Sequence, residues 1–375
     1  MNSYNDAVNN LKYFIDNDIL NYSKTRNYDF GPNKRNNVSM LSKFISHRII
    51  SEYDVISIAL SKNSYSSIEK YIQEVFWRIY WKGWLEHRPS VWTDYLNFNH
   101  NQYDLEQYHN AENANTKIDC FNDWMRELKD TNYLHNHTRM WFASIWIFTL
   151  KLPWELGANL FMKYLYDGDA ASNTLSWRWV AGLQTAGKNY IATSENIYKY
   201  TKQRFKPSNL REDAKPIHND KFYNIEELKT SNHDTSSDSL IIFDNNLDFK
   251  NNKKLIDRHK NIYLLLLDND SRIIKLCDKV LSFKNSLINE YSDTIIDSKV
   301  VSSSELVKII ERESTIDVLY PSIGENLSFI KKLSSKTTFN YIYDDKDLFC
   351  WNFSKKGFFN FKKNIPDIIK TIINS

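Results

Sequence analysis

The chain is poor in cysteine, nearly balanced in charge and free of long apolar runs. Its three cysteines, Cys120, Cys277 and Cys350, stand far apart. That argues against a disulfide framework and excludes a four-cysteine zinc or iron–sulfur site within one chain; reduced, buried thiols and no metal are expected. Lys plus Arg number 49 and Asp plus Glu 46, a net charge of +3, so any nucleic-acid surface must be a local patch. No run reaches the ~18 apolar residues of a spanning helix. The opening MNSYNDAVNNLKYF has neither the basic n-region nor the apolar h-region of a secretory signal. A soluble, cytoplasmic monomer with no membrane partner is the expectation.

Aromatic residues are abundant: 11 Trp, 23 Tyr and 21 Phe, 15% of the chain, with ten of the tryptophans before residue 180. Segments such as Ser66 to His87 and Thr138 to Leu152 carry apolar residues at helical spacing. The chain reads as all-α through residue 205. Residues 206–238 are polar and hold two prolines, a linker or a loop crossing between domains. From residue 239 strand-like runs (SLIIF, NIYLLLL, IDVLY) alternate with helical ones, the pattern of βαβ units and a parallel sheet. No glycine-rich phosphate loop follows these strands, so nucleotide binding by this half is unsupported. With a prior of ~100–200 residues per domain, the expected fold is an all-α domain, 1–205, a linker, 206–238, and a smaller α/β Rossmann-like domain, 239–375.

Four segments carry a family resemblance: NVSMLSKFISHRIIS (Asn37 to Ser51), QEVFWRIYW (Gln73 to Trp81), YLHNHTRMWFAS (Tyr133 to Ser144) and YDGDAASNTLSWRWVAG (Tyr166 to Gly182). In order and spacing they resemble the phosphate-binding, lesion-contacting and flavin-pocket motifs of the photolyase and cryptochrome family. The resemblance is strongest to a short bacterial subclass that acts preferentially on single-stranded DNA and lacks the usual N-terminal antenna domain. YIYDDKDLFCWNF (Tyr341 to Phe353) resembles the segment that closes the α/β domain of ordinary photolyases, in which that domain comes first. A circular permutation, helical domain first, is therefore expected.

The resemblance implies bound FAD and a role for each matching residue. Tyr22, Ser39, Leu41 and Ser42 would bind the cofactor, the two hydroxyls and the Leu41 amide at its pyrophosphate, where a helix start suits an anion. Val38 stands in place of the family threonine and Arg48 in place of its glycine; Arg48 is either a charge near the phosphates or a surface residue. Arg78, Asn136, Arg139, Asp167 and Asp169 would surround the flavin, with Arg139 paired to Asp167 and Asn173 facing N5, where its identity tunes the redox chemistry. Glu74, Trp77, Met140 and Trp179 would form a lesion pocket: a carboxyl group can hydrogen-bond a flipped pyrimidine and an indole can stack on it. Trp177, relayed through Trp154, would donate electrons to the flavin. The end of that relay has no aligned tryptophan; Trp124 and Trp141 are candidates that also suit a core. His135 and His137 read as structural, since the lesion-facing position is Met140, which suits cyclobutane dimers.

The function implied is light-dependent splitting of cyclobutane pyrimidine dimers in UV-damaged, preferentially single-stranded DNA: a deoxyribodipyrimidine photolyase. The alternatives are a cryptochrome-like blue-light photoreceptor without repair activity and a non-catalytic binding module. A lesion pocket distinguishes the first from the other two. The α/β half reads as a cover for the helical one.

Overall fold

The computed structural model describes residues 2–99, 105–185, 187–219, 221–229 and 237–374. Among these residues every regular element before Ser239 is a helix, and all five strands follow it. No helix among them is long and apolar enough to cross a membrane.

The longest helix, Tyr65–Glu86, shows why the aromatic-rich stretches are helical. Ile68, Ile72, Val75, Phe76, Ile79 and Leu85 are all buried, the three-to-four-residue spacing of an apolar face. It packs against the Glu52–Lys62 and Ala170–Ala181 helices on the N-terminal side and the Asp345–Trp351 helix on the C-terminal side. The Glu52–Lys62 helix opens with a capping box made by Ser51 and Asp54, and the Ala170–Ala181 helix is capped by Asp169 and closed by Gly182 at φ +85°.

The sheet is wholly parallel, with β1 (Ser239–Phe243), β2 (Asn261–Leu265), β3 (Lys299–Val301), β4 (Thr315–Leu319) and β5 (Thr338–Ile342) in the order β3-β2-β1-β4-β5. In β1 all five residues are buried, as a strand covered on both faces must be. Ile241, Phe243, Ile316 and Val318 face Leu306, Ile310 and Ile330 in a small satellite core; Leu240, Ile242, Ile262 and Leu264 join the main core, which runs into the helical half. The strand order reverses between β1 and β4, the position where open α/β sheets form crevices. The cavity there is only about 60 Å³, against the ~300–1,000 Å³ usual for small-molecule sites.

Residues 206–219 and 221–229 form no helix or strand. They lie on the helical half: Ile217 N–H donates to Ala181 O, Glu226 N–H to His87 O, and Tyr223 OH to Asp94. The helical and α/β halves meet through buried polar groups. His47 spans the joint, with Nδ1 at 2.8 Å from Asp244 O and Nε2 at 3.1 Å from Tyr166 O. Burial and the Lys284 charge push its pKa down to about 4, against the two carbonyls, which favour a protonated ring. Asp244, at the end of β1, accepts from Lys284 Nζ at 2.7 Å and from Asn326 Nδ2 at 3.0 Å. Glu86 accepts from Tyr320 OH at 2.7 Å and Ile323 N at 2.8 Å.

Arg48 is not a surface residue. It has φ +54°, which explains why glycine suits this position. Its buried guanidinium is paired with Asp347 and lies 3.5 Å from Asp344, both in the α/β half. Cys120 and Cys350 are buried and free, and Cys277 is half-buried.

Gly83 marks where the joint is tightest. A Cβ there would lie 2.6 Å from Ser354 Oγ, 2.7 Å from Trp351 Cδ1 and 2.8 Å from Trp351 Cα. Backbone is among those neighbours, so the strain cannot be relieved by rotating one side chain. Gly83→Ala is expected to destabilise the protein by about 1–3 kcal/mol, read as a lower midpoint in thermal or urea denaturation; an unchanged midpoint would show that the halves do not press together here.

Candidate functional site

The site is organised around two buried carboxylates, Asp167 and Glu52. The Asn136–Ser144 helix, N-capped by His135, carries Arg139. Arg139 Nη2 lies 2.9 Å from Asp167 Oδ2, and its Nε donates to Leu134 O at 2.9 Å. Burial alone would raise the pKa of Asp167, but Arg139, the Ser42 hydroxyl and Arg78 outweigh it and hold the carboxyl below its usual range. Asp167 Oδ1 is buried without a hydrogen-bond partner among the described residues.

Glu52 lies 3.3 Å from Lys82 Nζ and 3.7 Å from Arg78 Nε. Burial works to raise its pKa; Lys82, Arg48 and Arg78 overcome it and bring it down to about 2. Arg78 is held by charge without being satisfied: its Nε and Nη2 are buried and make no hydrogen bond among the described residues, and Nη2 is 4.0 Å from Asp169 Oδ2. The other oxygen of Asp169 accepts from Ser172 N at 2.6 Å as the helix cap. Ser172 Oγ also lacks a partner.

A cavity of about 490 Å³ opens beside Asp167, lined among others by Arg35, Ser39, Met40, Lys43 and Tyr133. Sequence reasoning missed Arg35 and Lys43. Arg35 is paired with Asp29 and Glu127, so the positive charge on this wall falls to Lys43, which sits inside the segment already identified and whose charge was the available signal. The helix expected to begin near Ser39 is a single turn, Ser42–Ile45, with buried Leu41 at its N-cap and no side-chain cap. One turn supplies little dipole, so anion binding here falls to side chains. Ser39 hydrogen-bonds Tyr71, whose ring meets Tyr22 edge-on at 5.2 Å. Asn136 is exposed and is not among the residues lining this cavity.

Of the residues expected to meet a lesion, Glu74, Met140 and Trp179 are all half-buried; the Ala170–Ala181 helix of Trp179 packs against the helices that carry the other two. Glu74 is paired with Arg26 at 3.0 Å and Lys70 at 2.8 Å. Trp179 stacks on Tyr190 at 5.6 Å. Trp77 differs from expectation: its indole lies flat on Phe358, centroids 3.6 Å apart at 13°, so one face is already covered by the C-terminal segment. Asn173 is buried, its Nδ2 tied to Ala158 O at 2.9 Å.

Trp177 is 2% exposed and its Nε1 has no partner among the described residues. Its ring meets Phe161 at 5.0 Å and Trp146 at 6.3 Å, and is pressed against Gly157. Trp154 instead stacks on Tyr95 at 5.4 Å, with the Arg178 guanidinium 5.9 Å over it. Trp146, which the sequence did not single out, is therefore the tryptophan in ring contact with Trp177. Trp124 and Trp141 are buried and stacked 5.6 Å apart. His137 stacks on Trp141 at 4.2 Å and reaches Asn27 O and Tyr190 OH. Burial pushes the His135 pKa down to about 3.

Residues 71–209 match the family described as the FAD binding domain of DNA photolyase. That stretch is similar to a photolyase-type FAD-binding domain. The unsatisfied buried donors of Arg78, the free oxygen of Asp167 and the cavity beside it suit a polar, planar cofactor, and FAD is that cofactor. A deoxyribodipyrimidine photo-lyase of Buchnera aphidicola subsp. Baizongia pistaciae is 27% identical over 227 residues, 57% of this chain and 46% of that protein. One from Streptomyces griseus is 31% identical over 150 residues, 39% of this chain and 32% of that protein. The crystal structure of a class III photolyase from Agrobacterium tumefaciens aligns with 52% of this chain and 42% of its own at 26% identity, with a TM-score of 0.46. The chain thus spans between about a third and a half of the length of these curated relatives.

The photolyase-type site has a defined acid limit. Glu52 has a folded pKa of about 2 against an ordinary 4.5. A depressed carboxyl contributes stability that is present above the unfolded pKa and lost as pH falls toward the folded one. Denaturation midpoints of the protein should therefore fall between pH 4.5 and 2, and the Glu52→Gln variant should show a flatter profile over that window. Parallel profiles would mean that Glu52 is not held ionised.

Proposed function

We propose that the chain is a light-driven DNA repair enzyme, a deoxyribodipyrimidine photolyase that splits cyclobutane pyrimidine dimers and prefers single-stranded DNA. The observation that carries this reading is Glu74, Met140 and Trp179 standing half-buried within the matched residues 71–209, on helices joined by the Ala170–Ala181 helix, which packs against the other two, with Met140 next in sequence to Arg139 of the Arg139–Asp167 pair. A photoreceptor has no need of such residues.

The chemistry supplied by bound FAD is electron donation to the dimer under blue light and recovery of that electron once the ring has split. The protein binds, orients and excludes water. Arg139 and Asp167 fix one edge of the flavin site, and Arg78, anchored by Glu52, presents buried N–H groups to it. Asn173, held by Ala158 O, sets its amide rigidly near the redox centre. Glu74 accepts a hydrogen bond from the extruded base in exchange for its present partners Arg26 and Lys70, which remain to neutralise it. Trp179 supplies the stacking wall, and Trp77 a wall stiffened from behind by Phe358. Extruding the lesion costs a few kcal/mol, least in a single strand, the source of the proposed preference. Trp177 would be the electron donor for oxidised FAD and Trp154 the proposed next member, although it is Trp146 whose ring meets Trp177.

Purified protein illuminated with blue light beside a dimer-containing oligonucleotide should restore intact thymines, faster for single-stranded than for double-stranded substrate. Absence of repair by protein with fully reduced FAD would favour the photoreceptor. Trp177→Phe is expected to slow photoreduction of oxidised FAD while leaving repair by pre-reduced protein nearly intact; equal loss of both activities would remove Trp177 from the relay.

Glu74→Ala and Trp179→Ala should keep FAD and its photoreduction but lose dimer affinity, roughly 1.5–3 kcal/mol for a charge-assisted hydrogen bond and about 1–3 kcal/mol for a stacking partner. Loss of flavin and stability before any loss of repair would assign both residues to the core instead.

A further inference from the structure

The stretch KKGFFNFKK, Lys355 to Lys363, lies against the helix that carries Glu74 and Trp77. Two of its three phenylalanines anchor it. Phe358 stacks flat on Trp77, and Phe361 meets Phe76 at 6.0 Å and Tyr80 at 5.6 Å. Lys362 reaches Glu69 at 3.6 Å, so the segment runs along the helix past the level of Glu74. The third phenylalanine, Phe359, is 84% exposed. It is aimed outward because its neighbours at 358 and 361 are fixed inward on the short Phe358–Lys362 helix.

A lone exposed apolar side chain needs no explanation. This one stands between two pairs of lysines. Lys355 and Lys362 are paired with Glu227 and Glu69; Lys356 and Lys363 are exposed. An aromatic face flanked by cations is the arrangement that holds a nucleic-acid strand without reading its sequence: bases stack on the ring and phosphates meet the ammonium groups. Charge complementarity also selects the occupant. The whole chain is only +3, whereas this nine-residue stretch holds four lysines and no acid, so a polyanion is drawn here rather than to the surface at large.

We propose that Lys356, Phe359 and Lys363 form a rim contact for the DNA strand, with Phe359 stacking on a base that flanks the lesion and the two lysines on neighbouring phosphates. The inference rests on the repair reading and extends it to a surface outside the matched FAD-binding domain. The contact lies next to the proposed pocket because Phe358, one residue away, is in van der Waals contact with Trp77. An extruded base leaves a gap in the stack, and an aromatic side chain at the rim caps the base beside it.

The test uses the full-length protein in the dark, with a fluorescently labelled single-stranded thymine oligonucleotide carrying one cyclobutane dimer, and anisotropy measured from low to moderate salt. Phe359→Ala should weaken binding by roughly five- to a hundred-fold, and Phe359→Trp should restore it, whereas Phe359→Leu should not. Lys356→Gln with Lys363→Gln should lower the slope of log affinity against log salt by about 1.4, at about 0.7 per single-strand phosphate contact. Flavin absorbance and melting temperature should not change, because all three side chains are exposed. If wild-type protein binds and repairs this substrate while the variants match its affinity and salt slope, the rim contact is wrong and the repair reading stands. If wild-type protein does not bind dimer-containing DNA at any salt, both are wrong. If Phe359→Ala changes only sedimentation or adsorption to anionic vesicles, the patch serves a second copy or a lipid surface, and the proposal is overturned.

Discussion

A buried carboxylate, Glu52, sits at the centre of the charges on which both the site and the joint between halves depend. It is 1% exposed and its ionisation is kept by Lys82, Arg48 and Arg78 together. An ion so placed is tolerated only when its partners are fixed. Each partner has a second task. Arg48 is tied to Asp347 on the far side of the joint, and Arg78 reaches toward Asp169 at the start of the helix that carries Asn173, Trp177 and Trp179. One carboxylate thereby couples the docking of the α/β half to the placement of an arginine with unsatisfied donors.

His47 makes a second link of the same kind. It hydrogen-bonds the carbonyl of Tyr166, the residue before Asp167, and the carbonyl of Asp244 at the end of β1. The acidic turn at the candidate site and the point where the strand order reverses are held by the same ring. The α/β half therefore acts on the site through its backbone and its charges. Its own crevice is small.

The aromatic content has a comparable division of labour. Trp124, Trp141, Trp146 and Trp351 are fully buried and fill volume between helices. Trp77 and Trp179 are half-buried, the first stacked on Phe358 and the second on Tyr190. Trp177 is enclosed by Phe161, Trp146 and Gly157, and its N–H, like those of Trp124 and Trp351, has no partner among the described residues.

Much of the molecule was legible in the residues themselves. Helical spacing of apolar side chains marked the Tyr65–Glu86 and Asn136–Ser144 helices and continuous apolar runs marked β1, β2 and β4, because each signal is local in sequence; the Arg139–Asp167 pair, 28 positions apart, was legible only through the family resemblance. The contacts of Arg48, Trp77 and Trp154 were not legible. Arg48 meets Asp347, Trp77 meets Phe358 and Trp154 meets Tyr95, partners 299, 281 and 59 positions away by residue number. Periodicity along one segment says which face of it is buried and is silent on what covers that face; the partner is chosen by how whole helices and the sheet pack, and only the tertiary structure decides that.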